Sequence, residues 1–359
     1  MKKVDYIVVG LGIAGIAFCE KLVAENKTFV VFDSGERNAT SVAAGTINPT
    51  VLKRFTAVWN VEEFLPQAKL FFKQVEQRMG VSFSHETYFY RIFNSAEEQN
   101  DWMVASDKQK LAPYFSSEIV PNENPQLIAP FGLGSVTEGV KVNTPLLVAA
   151  YKKYLQQQGF LKETPFQYDD LTTTGEAHLY GEIKASNLVF AEGVGALQNP
   201  YYQTNWLLSR KGQYMVFKAP NLKLDEILKG PHFLIPQGND LYKIGATLDR
   251  EDQTSMPTEK AKQELIEATK KMIHCPFEVV SQSVGFRPTT KDRRPILGPL
   301  PTLSKAFVLN GLGTRGIMGA ATLANILYQH IEYGEAIPKE MDIQRTLKKP
   351  FPGRTERKN

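Results

Sequence analysis

The stretch Asp5-Tyr-Ile-Val-Val9-Gly10-Leu-Gly12-Ile-Ala-Gly15 decides how this chain is read. The apolar run after Asp5 reads as a short buried strand that enters three glycines spaced Gly-x-Gly-x-x-Gly. Ile16 to Ala24 has helical character, with Ala17, Leu22, Val23 and Ala24 available for packing. Thr28 to Phe32 is a second apolar, β-rich run, and it ends in Asp33. Strand, glycine turn, helix, strand and acid follow one another as in a dinucleotide-binding βαβ unit. Gly10 permits the tight turn, Gly12 lets the backbone approach a pyrophosphate, and Gly15 lets helix and strand pack closely. Around Ile13 and Ala14 the helix N-terminus offers unpaired N–H groups and a partial positive charge to phosphates. Asp33 lies 18 residues beyond Gly15, where a carboxylate accepts hydrogen bonds from ribose hydroxyls. The motif alone does not separate NAD from FAD.

The rest of the chain narrows the class. Its 359 residues are enough for one large or two interleaved domains with a substantial core. No apolar stretch approaches the about 18 residues of a membrane span. The start, Met-Lys-Lys followed by a strand, lacks the form of a signal peptide, so a cytoplasmic protein is expected. Cys19 and Cys275 stand far apart, and the five histidines add no metal-like spacing. Neither a disulfide scaffold nor a metal site is therefore expected. The net charge of +4 comes partly from the tail residues Lys348, Lys349, Arg354, Arg357 and Lys358. A tail of this kind reads as solvated and gives no reason to expect a nucleic-acid partner.

After Asp33 come Ser34-Gly35-Glu36 and then Ser41-Val-Ala-Ala44-Gly45-Thr-Ile-Asn48-Pro49. Small residues here either bring backbone close to a flat ring or phosphate, or form a plain surface loop. Arg287, between Phe286 and Pro288, lies in a run that looks strand-like and turns at Pro288. A partly buried arginine requires a partner. Its planar fork suits a carboxylate held through two hydrogen bonds, and a structural ion pair with Asp292 is the alternative.

The whole chain resembles the D-amino-acid oxidase and glycine oxidase family of FAD-dependent oxidoreductases. Five segments carry the likeness: the glycine fingerprint with Asp33; the loop Ser41 to Pro49; Ala185-Ser-Asn-Leu-Val-Phe-Ala191-Glu-Gly193-Val-Gly195; Gly285-Phe-Arg287-Pro288 with Asp292-Arg-Arg-Pro295-Ile-Leu-Gly298; and Asn310-Gly-Leu-Gly313-Thr314-Arg315-Gly316-Ile317-Met, which runs into the apolar helix Ala320 to Ile331. The resemblance implies FAD as the cofactor. It places Gly10, Gly12, Ile13, Ala14, Gly15, Asp33, Ser34, Ser41, Ala44, Gly45, Asn48, Phe166, Ala191, Gly193, Gly285, Gly311, Gly313, Thr314, Arg315, Gly316 and Ile317 around it. Arg287 then matches the family arginine that binds the substrate carboxylate. Arg315 is a second candidate catalytic residue, for the substrate anion or the flavin edge, with helix capping as its alternative. The glycines at 311, 313 and 316 would aim a helix dipole at the ring edge that gains negative charge on reduction; a packed core helix with a flexible lead-in is the other reading. Departures from the family are Asp33 where Glu is frequent and Glu192 where a small residue is commoner. No cysteine follows Cys275 and no histidine precedes His85, so the FAD is expected to be non-covalent.

The expected fold is α/β (α+β): a Rossmann-like FAD-binding domain interleaved with a substrate domain on an antiparallel sheet with flanking helices. Residues 1–80, 138–205 and 285–345 are expected in the first domain, 81–137 and 206–284 in the second, and 346–359 in a basic tail. Strands are read over Tyr88 to Phe93, Gln213 to Phe217, His232 to Pro236 and Leu241 to Gly245, and helices over Val61 to Gly80, Thr144 to Gln158 and Glu259 to Ile273. Tyr88, Tyr90, Tyr214, Phe233 and Tyr242 either line a pocket or serve as ordinary sheet-face residues. The implied activity is oxidation of the C–N bond of a small amine or amino acid by hydride transfer to the flavin, with O2 or a quinone as electron acceptor. Gly-Leu-Gly-Thr-Arg-Gly is also similar to the oxidase domain of a bifunctional tRNA wobble-uridine modification enzyme, and a silent flavin-binding protein is a third reading.

Overall fold

The computed structural model describes residues 1–36, 38–175, 177–202 and 207–347. The domain boundary expected at 205–206 and the basic tail from 348 onward lie outside the described residues.

Two sheets organise the chain. The first runs Leu171–Thr173, His178–Tyr180, Ile183–Phe190, Lys2–Val9, Phe29–Phe32 and Leu161–Lys162. Ala306–Asn310 joins it beside Ile183–Phe190, with Ile296–Pro299 beyond. Its central pairings are parallel, and all four residues of Phe29–Phe32 are buried. Continuous apolar strands of this kind suit a parallel sheet covered on both faces.

Helices α1 (Ile13–Ala24), α2 (Ala39–Val42), α3 (Val61–Met79), α4 (Ala96–Ser106), α5 (Thr144–Gln157), α6 (Glu259–Lys270) and α7 (Gly316–Tyr333) follow in chain order. The two glycine-led helices, α1 and α7, pack on each other, and α3 packs on α7. A shared core joins their apolar faces to Phe89, Val136 and Ile235 of the second sheet.

The second sheet runs Glu278–Thr290, Leu207–Lys218, Leu241–Gly245, Phe233–Gly238, Ile227–Lys229, Ser84–Ile92, Leu133–Val142 and Thr46–Ile47, with Phe115–Val120 attached to Leu133–Val142. Its period of two sorts the side chains. Met215, Phe217, Leu234, Tyr242 and Ile244 share a core with Leu265 of α6. On the opposite face, Val216 stands opposite Lys243, Tyr214 opposite Gly245, and Arg210 opposite Arg287. Residues 46–47, 139–142 and 285–290, grouped by sequence with the nucleotide-binding region, pair into this second sheet.

Three local readings need correction. α1 begins at Ile13, so its first turn follows Gly12 directly. The strand expected from Tyr88 starts at Ser84. The strand carrying Arg287 does not turn at Pro288 but continues to Thr290. It ends the strand path of its sheet, and an edge position lets a proline lack its donor without breaking a ladder.

Candidate functional site

The three fingerprint glycines are glycine for different reasons. Gly10 has φ +95°, and a Cβ there would stand 2.7 Å from the Ala191 carbonyl oxygen. A Cβ on Gly15 would stand 2.0 Å from the Gly10 oxygen. Both are required by the chain itself. Gly12 is not: its φ of −76° and ψ of −175° suit any residue, and a Cβ would meet only Thr40 Oγ1, at 3.5 Å. The open space before Gly12 therefore fits an incoming group, as a diphosphate cradle demands.

Thr40, which the sequence reading missed, helps to shape this cradle. The Ile13 N–H donates to Thr40 Oγ1 at 2.9 Å. Asn38 caps α2 by accepting from the Thr40 and Ser41 N–H groups, each at 3.0 Å. A buried threonine 27 residues from its partner leaves no local signal. Ala14, like Ile13, is buried in the first turn of α1.

Asp33, Ser34 and Phe166 lie together at one end. Asp33 follows the strand Phe29–Phe32, and its N–H donates to the Lys162 oxygen at 3.1 Å. Partial burial pushes its carboxyl above the usual range, opposed by a hydrogen bond from the Gly35 N–H. A ribose hydroxyl would relieve that desolvation. Ser34 is exposed. The Phe166 ring stacks on Tyr180 with centroids 4.4 Å apart and meets Phe32 edge-on.

The other glycine segments converge at the far end. Gly193 lies against Pro288, Gly311 against Thr290, Gly313 against Thr289 and Gly316 against Ile13. Asn310 ties two of them: its Nδ2 donates to the Gly193 oxygen (2.8 Å) and its Oδ1 accepts from the Gly311 N–H (2.7 Å). Thr314 is exposed, and Ile317 packs against the core. Arg315 immediately precedes α7 but caps nothing with its side chain. Its guanidinium donates to the Asn48 and Thr50 carbonyls, at 3.1 and 3.4 Å. Desolvation lowers its pKa to about 10, and no acid pairs with it among the described residues. Beside it the buried Asn48 Nδ2 has no hydrogen-bond partner. An orphan donor and an uncompensated cation form a place for an acceptor-rich or anionic ring edge.

The loop Ser41 to Gly45 connects this end to the second sheet. Val42 covers Gly285, and a Cβ on Gly45 would stand 1.8 Å from the Val142 oxygen. Two lysines hold the carbonyls between them. Lys243 Nζ donates to the Val42 and Ala43 oxygens at 2.8 and 3.2 Å, and Lys141 Nζ to the Ala44 oxygen at 2.7 Å. Burial lowers the pKa of Lys243 to about 8; burial and then the charge of Lys243 lower that of Lys141 to about 7. Neither lysine was read from the sequence, because a strand lysine does not announce its face.

Arg287 lies on the same sheet face. Its guanidinium rests over Gly212, where a Cβ would stand 2.3 Å from Nη2. Gly212 is the missed partner: its absent side chain makes the berth. The expected alternative, an ion pair with Asp292, does not form. Asp292 is taken by Arg345 at 3.0 Å and by the Arg294 N–H, and no described acid meets Arg287.

Glu192, the departure noted above, serves a packing cluster. Tyr168 donates to its Oε1 and Asn199 to its Oε2, and burial raises its pKa to about 7. A groove of about 790 Å³ around Ile119, Leu127, Phe131 and His274 shares no residue with this site. Among the described residues no cluster of three or more His, Cys, Asp or Glu could hold a metal, and no helix is long and apolar enough to cross a membrane.

Comparison with known proteins gives these contacts a family. The chain is 24% identical over 333 residues to glycine oxidase of Bacillus subtilis, covering 88% of this chain and 89% of that protein. It is 28% identical over 165 residues to a tRNA 5-methylaminomethyl-2-thiouridine biosynthesis bifunctional protein of Marinobacter nauticus, covering 42% of this chain but 26% of that protein. In fold it is similar to glycine oxidase from Bacillus cereus, with a TM-score of 0.77, 18% identity and coverage of 93% and 96%. The family described as DAO, FAD dependent oxidoreductase, matches residues 5–329. The chain belongs to that family of FAD-dependent oxidoreductases.

Proposed function

We propose that the chain oxidises the C–N bond of a small amine or amino acid that carries a carboxylate. The observation that carries this reading is Arg287: a guanidinium seated over Gly212, without a described acid, on the sheet face that meets the Val42–Ala44 loop. Gly10 to Gly15 would hold the diphosphate, Asp33 the ribose, and Asn48 and Arg315 the acceptor edge of the ring. Bound FAD supplies two-electron chemistry, accepting the hydride from the carbon next to nitrogen.

Arg287 binds the carboxylate through its fork and so fixes which C–H points at the cofactor. Loss of the hydride would leave the substrate as a protonated imine, which water hydrolyses to a carbonyl compound and a protonated amine. O2 or a quinone would serve as the final electron acceptor. No dedicated base is required when the amine binds neutral. Both cysteines are buried, Cys275 on the α6 side of the second sheet, which supports non-covalent FAD. Acid precipitation should then leave the yellow colour in the supernatant.

Anaerobic titration of the holoprotein with amines tests the reading. Bleaching by glycine, sarcosine or a larger amino acid is the expected result. Reduction by none of them, with reduction by a modified tRNA, would favour the tRNA-modifying alternative that the partial relatives raise. No reduction by either would leave a flavin-binding protein without turnover.

A further inference from the structure

We propose that the substrate carries two acidic groups, with Arg287 holding one and Lys243 the other. This deepens the reading above and rests on Arg287 as the first carboxylate holder.

Lys243 and Arg287 occupy one face of one sheet. Arg287 aligns with Arg210, and Lys243 with Val216, on the shared strand Leu207–Lys218. Their side chains lean toward each other: the guanidinium lies over Gly212, and Lys243 Nζ stands 4.5 Å from the centroid of the Tyr214 ring. Gly212 and Tyr214 are two residues apart on one strand, which is about 7 Å. The two cations thus stand beside neighbouring positions of one strand face, a backbone spacing that suits a small diacid, with the Tyr214 ring under Lys243.

The charge count points the same way. Lys243 is half-buried, has three donors, and uses two on the Val42 and Ala43 oxygens. No described carboxylate pairs with it, with its neighbour Lys141, or with Arg287 or Arg315. A loop clamp needs hydrogen bonds, and a neutral donor would supply them. An ammonium kept desolvated without a counter-ion costs stability unless an anion joins it. An anionic second arm of the substrate supplies that charge.

Binding of non-oxidisable acids to the oxidised holoprotein tests this, read from the shift of the flavin's visible spectrum. The probes are malonate, succinate and glutarate, each against its monoacid counterpart propionate, butyrate or valerate. At least one diacid should bind about tenfold more tightly than its counterpart. That ratio should collapse in Lys243→Met and largely survive in Lys243→Arg. If Lys243→Met does not retain FAD, Lys243→Gln keeps a donor for the loop without the charge and gives the same readout. Equal dissociation constants within every pair, or an unchanged ratio in the uncharged variant, would overturn the proposal. Amine oxidation is scored separately by anaerobic bleaching, so its failure does not decide the diacid ratio.

Discussion

The two faces of the sheet around the strand Leu207–Lys218 treat their cations differently. On the outer face, the one that packs on α6, Lys211, fully buried, meets Asp252 at 2.6 Å and also donates to the Met256 oxygen at 2.7 Å and Thr254 Oγ1 at 3.2 Å, whereas the inner face is the one toward the Val42–Ala44 loop. On the inner face Arg287 and Lys243 find main-chain groups or nothing, and no acid among the described residues. A charge that only serves the fold is given its counter-ion by the chain, since an unpaired buried charge is costly. A charge left open in a cleft between two elements is a candidate for ligand binding.

The sharpest way to break this contrast is to remove one cation from the inner face. Arg287→Ala should lower kcat/KM for amino-acid substrates by about 100- to 1000-fold, mainly through KM, and change plain amines little. Equal losses for both substrate classes would make Arg287 a structural residue. Gly12→Ala should weaken FAD binding by about tenfold or more while the protein stays folded. Gly15→Ala, whose Cβ would strike the Gly10 oxygen, should instead impair folding. FAD titration beside circular dichroism separates the two.

The outer face is expected to answer in stability alone. Asp252→Ala should lower Tm by several degrees and leave the diacid-to-monoacid binding ratio unchanged. A shift in that ratio would mean that the two faces are not independent.

The smallest effect expected is on pH. Lys243 gives up its proton at about 8 in the folded chain against an ordinary 10.5, so diacid preference should fade as pH rises past that point. Lys141, lowered to about 7, is already largely neutral there. For stability the sign is opposite to that of a paired lysine. With both folded values depressed, the cost of charging is fully present at low pH and disappears as pH rises from about 7 toward 10.5. The Tm gap between Lys243→Met and the unaltered chain should narrow over that range.

These residues also separate what could be read along the chain from what could not. The βαβ entry was legible because each of its signals is local: an apolar strand, glycine spacing and an acid after the second strand. Arg287 was legible as a type of residue in a type of context, but its strand was misread because Pro288 looks like a turn until the strand is seen at a sheet edge. Thr40, Gly212, Lys141 and Lys243 gave no signal. Thr40 acts on a backbone group 27 residues away, and the lysines act on a loop 97 and 201 residues away.

By itself, then, the sequence determined the glycine-led βαβ entry and the arginine type at position 287, because backbone geometry and side-chain chemistry are written residue by residue. Only tertiary structure decided which glycines the chain itself requires and which stand before open space, and which cations are left without acids among the described residues. Charge compensation is a property of space, and a strand reveals the face of its lysines only when its neighbours are in place.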